Sequence, residues 1–201
     1  MKTGESLGSR LKRGVCCFGL SVVLPCPSVI EMAALAGYDF VRIDWEHALF
    51  GAIELRELLN TARLVGMPCQ VRVPELTMIT PLLGQEPAGI MVPHVESEKE
   101  ARAAVDACRF QPLGRRGMDG NTRRMRCEGM TRRTYMESQQ ENLDIVVQIE
   151  SIPAMEKIDE ILSLDGITMA ATGRADLSQE LGFPGQKNHP AVLEVEEFII
   201  R

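Results

Sequence analysis

The stretch FVRIDWEHALFGAIELRELLNTARLVGMPCQVRVP, residues 40–74, decides how the rest of the chain is read. It opens on a short apolar run at 40–43 and closes on another at 70–73. Between them, residues 53–64 carry Leu55, Leu58 and Leu59 at helical spacing, and Gly66 stops the pattern. Pro74 ends the second run. A strand, a helix and a strand this close together predict a βαβ unit with parallel strands. Ionisable residues follow at once: Asp44-Trp45-Glu46-His47 after the first run, and Arg72 inside the second.

The same alternation extends both ways. Upstream, 15–24 reads as a first strand and 29–36 as a helix closed by Gly37. Downstream come a short helix at 77–83, a strand at 89–92 ended by Pro93, and a helix from Ser97 to 107 with Glu98 and Glu100 in its first turn, where the dipole favours acids. Residues 110–142 are polar, rich in Arg and Gly and weakly periodic, with helical character only near 131–139. Then follow a strand at 145–149, a helix at 154–162, a strand at 167–171, a helical turn after Asp176 and a helix at 191–201.

Such alternation predicts a parallel sheet covered by helices, either doubly wound or a (β/α)8 TIM barrel. No G-x-G-x-x-G follows a strand and no G-x-x-x-x-G-K-[ST] is present, which weakens the nucleotide-binding doubly wound option. A full barrel takes about 250 residues. The expectation is therefore one TIM-barrel domain over 1–201, with about six of eight βα units and its last two strands lacking.

Bulk properties agree with one sizeable core: 201 residues, 45% hydrophobic. A net charge of −6 implies no general attraction to nucleic acid or an anionic membrane, and no run reaches the ~18 apolar residues of a bilayer span. Arg10, Lys12 and Arg13 before the apolar 15–24 have the outline of a signal peptide. The turn Pro25-Cys26-Pro27 stands where a small-residue cleavage site belongs, so a first core strand is the preferred reading. Six cysteines without a C-x-x-C pair favour reduced, buried thiols in a cytoplasmic protein.

In an α/β barrel the active site lies at the C-terminal ends of the strands. Five consecutive strands would deliver polar groups there: Asp44 to His47, Arg72, His94, Gln148 with Glu150, and the 173–176 segment ending in Asp176. Two carboxylates on neighbouring strands, Glu150 and Asp176, suit Mg2+ or Mn2+. Arg72 would stabilise an enolate or hold a carboxylate. His47, oriented by Asp44, suits acid–base work near neutrality. Each has a plainer reading. Glu150 and Asp176 also suit helix starts, Arg72 a structural ion pair and His47 a solvated loop. His94 and His189 are read as structural or exposed, and Glu46 as a polar anchor under the site. The case for chemistry rests on the shared rim.

These motifs together resemble the class II pyruvate aldolases that include 4-hydroxy-2-oxoheptanedioate and 2-dehydro-3-deoxyglucarate aldolases (the HpcH/HpaI family). The resemblance runs from about Leu11 to the last residue. It is carried by Ala36-Gly37-Tyr38-Asp39-Phe40 leading into Asp44-Trp45-Glu46-His47, by Val71-Arg72-Val73-Pro74, Gly114-Arg115-Arg116-Gly117, Val147-Gln148-Ile149-Glu150-Ser151 and Gly173-Arg174-Ala175-Asp176-Leu177-Ser178. It implies cleavage of a 4-hydroxy-2-oxo acid to pyruvate and an aldehyde, or the reverse addition, in aromatic-compound or sugar-acid catabolism. It also implies a (β/α)8 barrel assembled as a homo-hexamer with its last helix exchanged. A divalent metal, Mg2+ or Mn2+ with Co2+ as a further option, would sit on Glu150 and Asp176 with Gln148 beside it. Arg72 would meet the keto oxygen, Asp44 and His47 would form an acid–base dyad acting through a water, and the backbone at Gly173 and Ala175 would meet the pyruvate carboxylate. No lysine is placed for a Schiff base.

The chain departs from the family pattern at Trp45, where many relatives carry glycine, and at Arg174, where many carry proline; the second adds a cation near the carboxylate pocket. Residues 83–88 replace a common Leu-Asp-x-Gly-Ala segment, and an early tryptophan is replaced near Ser21. Two rivals remain: a CoA-thioester lyase of the citryl or malyl type, and an anion- or RNA-binding module built on the arginines at 115–133. The acidic chain and the lack of interleaved aromatics in that stretch, with only Tyr135 just beyond it, favour a solvated, partly paired loop instead.

Overall fold

Each strand alternates two kinds of residue, and this sets the layers. In β2 (Phe40–Asp44) Val41 and Ile43 are fully buried, while Arg42 and Asp44 take the opposite face. In β3 (Cys69–Arg72) and β5 (Asp144–Ile149) the same rule sends Val71, Ile145, Val147 and Ile149 into the apolar core and Gln70, Arg72 and Gln148 to the other side. The computed structural model describes residues 6–118, 120 and 122–200. With β1 (Gly19–Val22), β4 (Gly89–Val92) and β6 (Met169–Thr172), these strands form one six-stranded sheet in the order β1-β2-β3-β4-β5-β6. Every pairing is parallel, and the sheet curls into a half-barrel with helices outside.

The covering helices arise from their spacing. In α3 (Ala52–Leu64), Leu55, Leu58, Leu59 and Ala62 form one buried stripe against the sheet. Glu54 Oε2 accepts the Gly51 N–H at 2.5 Å, and Gly66, at φ +72°, ends the helix as no β-carbon-bearing residue would comfortably do. In α5 (Glu98–Cys108), Ala101, Ala104, Val105 and Cys108 face inward, and Ser97 Oγ accepts from Glu100 N at 3.3 Å. α2 (Pro27–Leu35) starts on proline, whose fixed φ suits a first turn. α4 (Ile79–Leu83) follows a 3-10 turn at Leu76–Met78.

Several expectations needed correction. The first strand is four residues long rather than spanning 15–24, and the basic residues before it belong to an unforeseen helix, α1 (Leu7–Lys12). α1 closes the N-terminal end of the sheet: Gly8 N donates to Asp144 Oδ1 and Oδ2 at 3.2 and 3.3 Å. The helix expected at 154–162 is two short helices, α8 (Ile152–Glu156) and α9 (Ile158–Leu162). The Arg-rich stretch contains α6 (Arg123–Cys127) as well as α7 (Arg132–Asn142). The turn near Asp176 is α10 (Arg174–Glu180), and α11 runs Pro190–Ile200, Arg201 lying outside the described residues. Of the cysteines only Cys69 and Cys108 are buried, where burial pushes both thiols up to about 12. No helix of the described residues is long and apolar enough to cross a membrane.

Candidate active site

Strand ends place the rim. Register pairs Asp44 with Arg72, and Gln148 with Ala171, so neighbouring strands present their polar ends side by side. Arg72 lies at the centre. Its Nε donates to Asp44 Oδ1 at 3.0 Å and its Nη2 to Asp44 Oδ2 at 2.6 Å, a bidentate grip. Nη2 is also 2.7 Å from His47 Nδ1, Nη1 is 3.4 Å from Gln148 Oε1, and Nε is 3.1 Å from Glu46 Oε2. A guanidinium can only donate, so His47 Nδ1 accepts here and the ring hydrogen sits on Nε2.

Electrostatics follow from these contacts. Burial pushes Asp44 up, but hydrogen bonds from Arg72 and the His47 amide, with the charge of Arg72, hold it below the usual carboxylate range. Burial opposes the charge on Arg72 too, and Asp44, Glu46 and Glu150 outweigh it, so Arg72 is raised. One layer below, Arg42 is pulled down to about 10 by burial and by Arg72, and its Nη2 donates to Gln70 Oε1 at 2.9 Å. A cavity of about 190 Å3 inside the curl is lined by Ser21, Arg42, Asp44, Arg72, Gln148 and Thr172, among others.

Glu150 is the second focus. Its side chain is 2% exposed. Oε1 accepts the His94 N–H at 2.9 Å, and Oε2 accepts from Gln148 Nε2. Burial raises its pKa; the His94 amide and ring charge lower it, Asp176 and Glu46 raise it again, and the net direction is up. Asp176 stands in the first turn of α10, directly after β6. Between them Gly173 makes a close approach: a β-carbon there would overlap Glu150 Oε2 and stand 2.9 Å from Gln148 Nε2. Only glycine lets β6 lie against that carboxylate.

The geometry brings Asp44, His47, Arg72, Gln148, Glu150 and Gly173 together, with Asp176 near enough for its charge to act on Glu150. Other parts of the expectation differ. The side chains of Asp44 and His47 do not hydrogen-bond to each other: Oδ2 and Nδ1 are 3.7 Å apart, and the direct link is the His47 N–H to Asp44 Oδ1 at 3.2 Å. Ala175 is exposed, and its carbonyl accepts from Ser178 Oγ at 2.7 Å. Arg174 is tied to Glu196 of α11, Nη2 to Oε2 at 2.5 Å, with Thr172 Oγ1 on the other oxygen at 2.8 Å. Glu46 and His94 carry more contacts than the sequence reading assigned them. His94 Nε2 is 3.0 Å from Glu46 Oε1, and Nδ1 is 3.0 Å from Glu150 Oε1. The signal available for both was their place two residues beyond a strand.

Two acidic groupings can be weighed as metal sites. Asp44, Glu46 and His47 offer ligand atoms within 4.8 Å of one another. Arg72 already lies among all three, so that trio has its cation. Glu150 feels the charges of Asp176 and Glu46; the His94 ring faces Glu150 and Glu46, and Glu46 Oε2, 3.1 Å from Arg72 Nε, is buried without a hydrogen-bond partner among the described residues. That excess of carboxylate oxygen fits a hard divalent cation.

Much of the Arg-rich stretch is paired within the chain. Arg109 donates to the carbonyls of Gln139, Gln140 and Gly166, and Arg116 to Gln139 Oε1 and Tyr135 OH. Arg123 and Arg124 pair with Glu128, and Arg133 pairs with Glu137.

A parallel half-barrel with carboxylates, an arginine and a histidine at the C-terminal rim has the layout of a barrel enzyme's active site. The chain belongs to the HpcH/HpaI aldolase/citrate lyase family, whose model matches residues 18–201. It is 33% identical over 184 residues to the hydroxypyruvate/pyruvate aldolase of Sagittula stellata, covering 90% of this chain and 72% of that protein. It is 32% identical over 194 residues to the 2-keto-3-deoxy-L-rhamnonate aldolase of Escherichia coli K12, covering 96% and 72%. The crystal structure of an HpcH/HpaI aldolase from Desulfitobacterium hafniense DCB-2 superposes with a TM-score of 0.88 at 30% identity, covering 98% of this chain and 76% of that one. The chain is thus a lyase of the class II aldolase type, a group that depends on divalent metal and acts on small keto acids and aldehydes.

Proposed function

We propose that the rim cleaves a 4-hydroxy-2-oxo acid to pyruvate and an aldehyde, or joins them in reverse, through a pyruvate enolate, with Mg2+ or Mn2+ held by Glu150 and Asp176. The observation that carries this reading is the buried Glu150 carboxylate, pressed against Gly173, raised by burial and by the charges of Asp176 and Glu46, and one glutamine away from Arg72. When bound, the cation supplies Lewis-acid polarisation of the keto oxygen.

The protein groups divide the remaining work. Arg72 Nη1, whose partner Gln148 is a long 3.4 Å away, is the donor with most freedom to turn to the keto oxygen as it gains charge. Asp44 fixes the guanidinium plane by its bidentate grip. The Asp44–His47 pair takes the 4-hydroxyl proton through a water, His47 Nδ1 accepting it as its contact with Arg72 Nη2 opens while Asp44 stays ionised. The bond between C3 and C4 breaks, C4 becomes the aldehyde carbon, and the electron pair passes to C3 and the keto oxygen. Protonation at C3 then gives pyruvate. Gly173 and Ala175 offer backbone at the start of α10 for the pyruvate carboxylate, where helix N–H groups favour an anion. Homo-oligomer assembly of the protein is part of the same proposal.

The test is exchange of pyruvate methyl protons with solvent deuterium, followed by NMR. It isolates enolisation and needs no aldehyde. Exchange that requires Mg2+ or Mn2+, stops with EDTA and fails in Arg72→Ala supports the reading. A folded chain with bound metal and no exchange removes it.

A further inference from the structure

His94 stands at the rim and has no role in the chemistry above. It follows Pro93 at the end of β4 and has φ +53°, a left-handed conformation that a residue with a β-carbon adopts rarely. That backbone turn has a visible result. The His94 N–H and ring Nδ1 both point at the same oxygen, Glu150 Oε1, at 2.9 and 3.0 Å. The other ring nitrogen, Nε2, reaches Glu46 Oε1 at 3.0 Å. One imidazole, carried at the end of β4, therefore links the ends of β2 and β5. The ring is 59% exposed, so it is not a packing element; Glu150 and Glu46 beneath it are 2% and 12% exposed.

We propose that His94 is the positioning residue of the divalent-cation centre. It fixes one oxygen of Glu150 and ties Glu46 to it, so that the carboxylates hold a set geometry before a cation arrives. This rests on Glu150 being a metal ligand. A carboxylate whose orientation is fixed in advance loses less freedom on binding, and outer partners of metal ligands typically contribute about 10–100-fold to affinity. His94 touches no reacting atom in this arrangement; it acts through Glu150.

Variants of the full chain separate the ring from the backbone. His94→Gly keeps the N–H donor and relieves the left-handed φ, so it removes the ring without threatening the fold. His94→Asn tolerates the same φ and restores one side-chain donor. Mn2+ binding is read by EPR of the free ion and by calorimetry, and the spectrum of bound Mn2+ reports its symmetry. The expected result is a Kd for Mn2+ raised about tenfold or more in His94→Gly, with an altered bound-ion spectrum and partial recovery in His94→Asn. Unchanged Mn2+ affinity in His94→Gly, alongside its loss in Glu150→Gln, overturns the positioning role and leaves the metal centre standing. Unchanged affinity in Glu150→Gln removes Glu150 as ligand, and the role of His94 falls with it.

Discussion

Arg72 holds Asp44 by two hydrogen bonds and His47 by a third, so one guanidinium from β3 organises both ionisable partners supplied by the end of β2. The two side chains are therefore joined through an arginine, while the His47 backbone N–H donates to Asp44 directly.

This arrangement makes Arg72 intolerant of its usual substitute. Lysine carries the charge but cannot reproduce a planar, bidentate grip while also meeting His47 and Gln148. Arg72→Lys and Arg72→Ala should both lower the rate of pyruvate proton exchange, the alanine variant by about 10²–10³-fold, the range seen when one oxyanion donor is removed. An Arg72→Lys variant with wild-type exchange would show that charge alone suffices.

Asp44 should support stability in acid. Its folded pKa is depressed, so its contribution is present above the unfolded value of about 3.9 and is lost as pH falls through the lower folded value. Melting temperature followed downward from about pH 5 should fall less steeply in Asp44→Asn than in the parent. Parallel curves would place Asp44 outside the linkage.

Glu150 carries the opposite sign. Its folded pKa is raised, so in the absence of metal the folded chain loses stability as pH rises through the carboxylate range. In EDTA near neutral pH, Glu150→Gln should melt higher than the parent, by about 2–4 °C for each kcal/mol of relieved repulsion. With Mn2+ present the order should reverse, because the parent alone gains binding energy. Calorimetry with and without EDTA checks both halves.

Gly173→Ala should be more damaging than its one methyl suggests. The added carbon meets Glu150 and Gln148 and must displace β6 or the carboxylate, at a cost of about 1–3 kcal/mol. Metal affinity should fall with stability, whereas Gly117→Ala, which meets nothing within 4 Å, should leave both unchanged.

The nucleic-acid rival predicts salt-dependent retention on immobilised polynucleotide. With Arg123 and Arg124 bound to Glu128, Arg133 to Glu137 and Arg116 to Gln139 and Tyr135, on a chain of net charge −6, none is expected at about 0.15 M salt. Retention that falls steeply with salt would reopen that function.

The parallel sheet was readable because its strands are short apolar runs stopped by Pro74, Pro93 and strand-end acids, and helices such as α3 show their buried stripe in spacing alone. Elements held by distant contacts were not. α1 looks merely basic until Gly8 meets Asp144, 136 positions away. The break at Lys157 between α8 and α9 has no proline or glycine to announce it. At the rim, the strand-end rule located Asp44, Arg72, Gln148 and Glu150. It could not say that Arg174 would turn to Glu196, nor that His94 would bridge two acids, since both depend on which element folds back to meet them.

The register of the sheet carries a last consequence. Asp44, Arg72 and Gln148 come from three strands, β2, β3 and β5, and side chains alternate faces with a period of two. A slip of one residue in any ladder would turn that strand's contribution toward the helices and erase the site while leaving much of the secondary structure in place. Turnover is thus a more demanding assay of correct assembly than circular dichroism: a preparation with native helix content and no enolisation can be a population of mis-registered sheets rather than of dead enzyme.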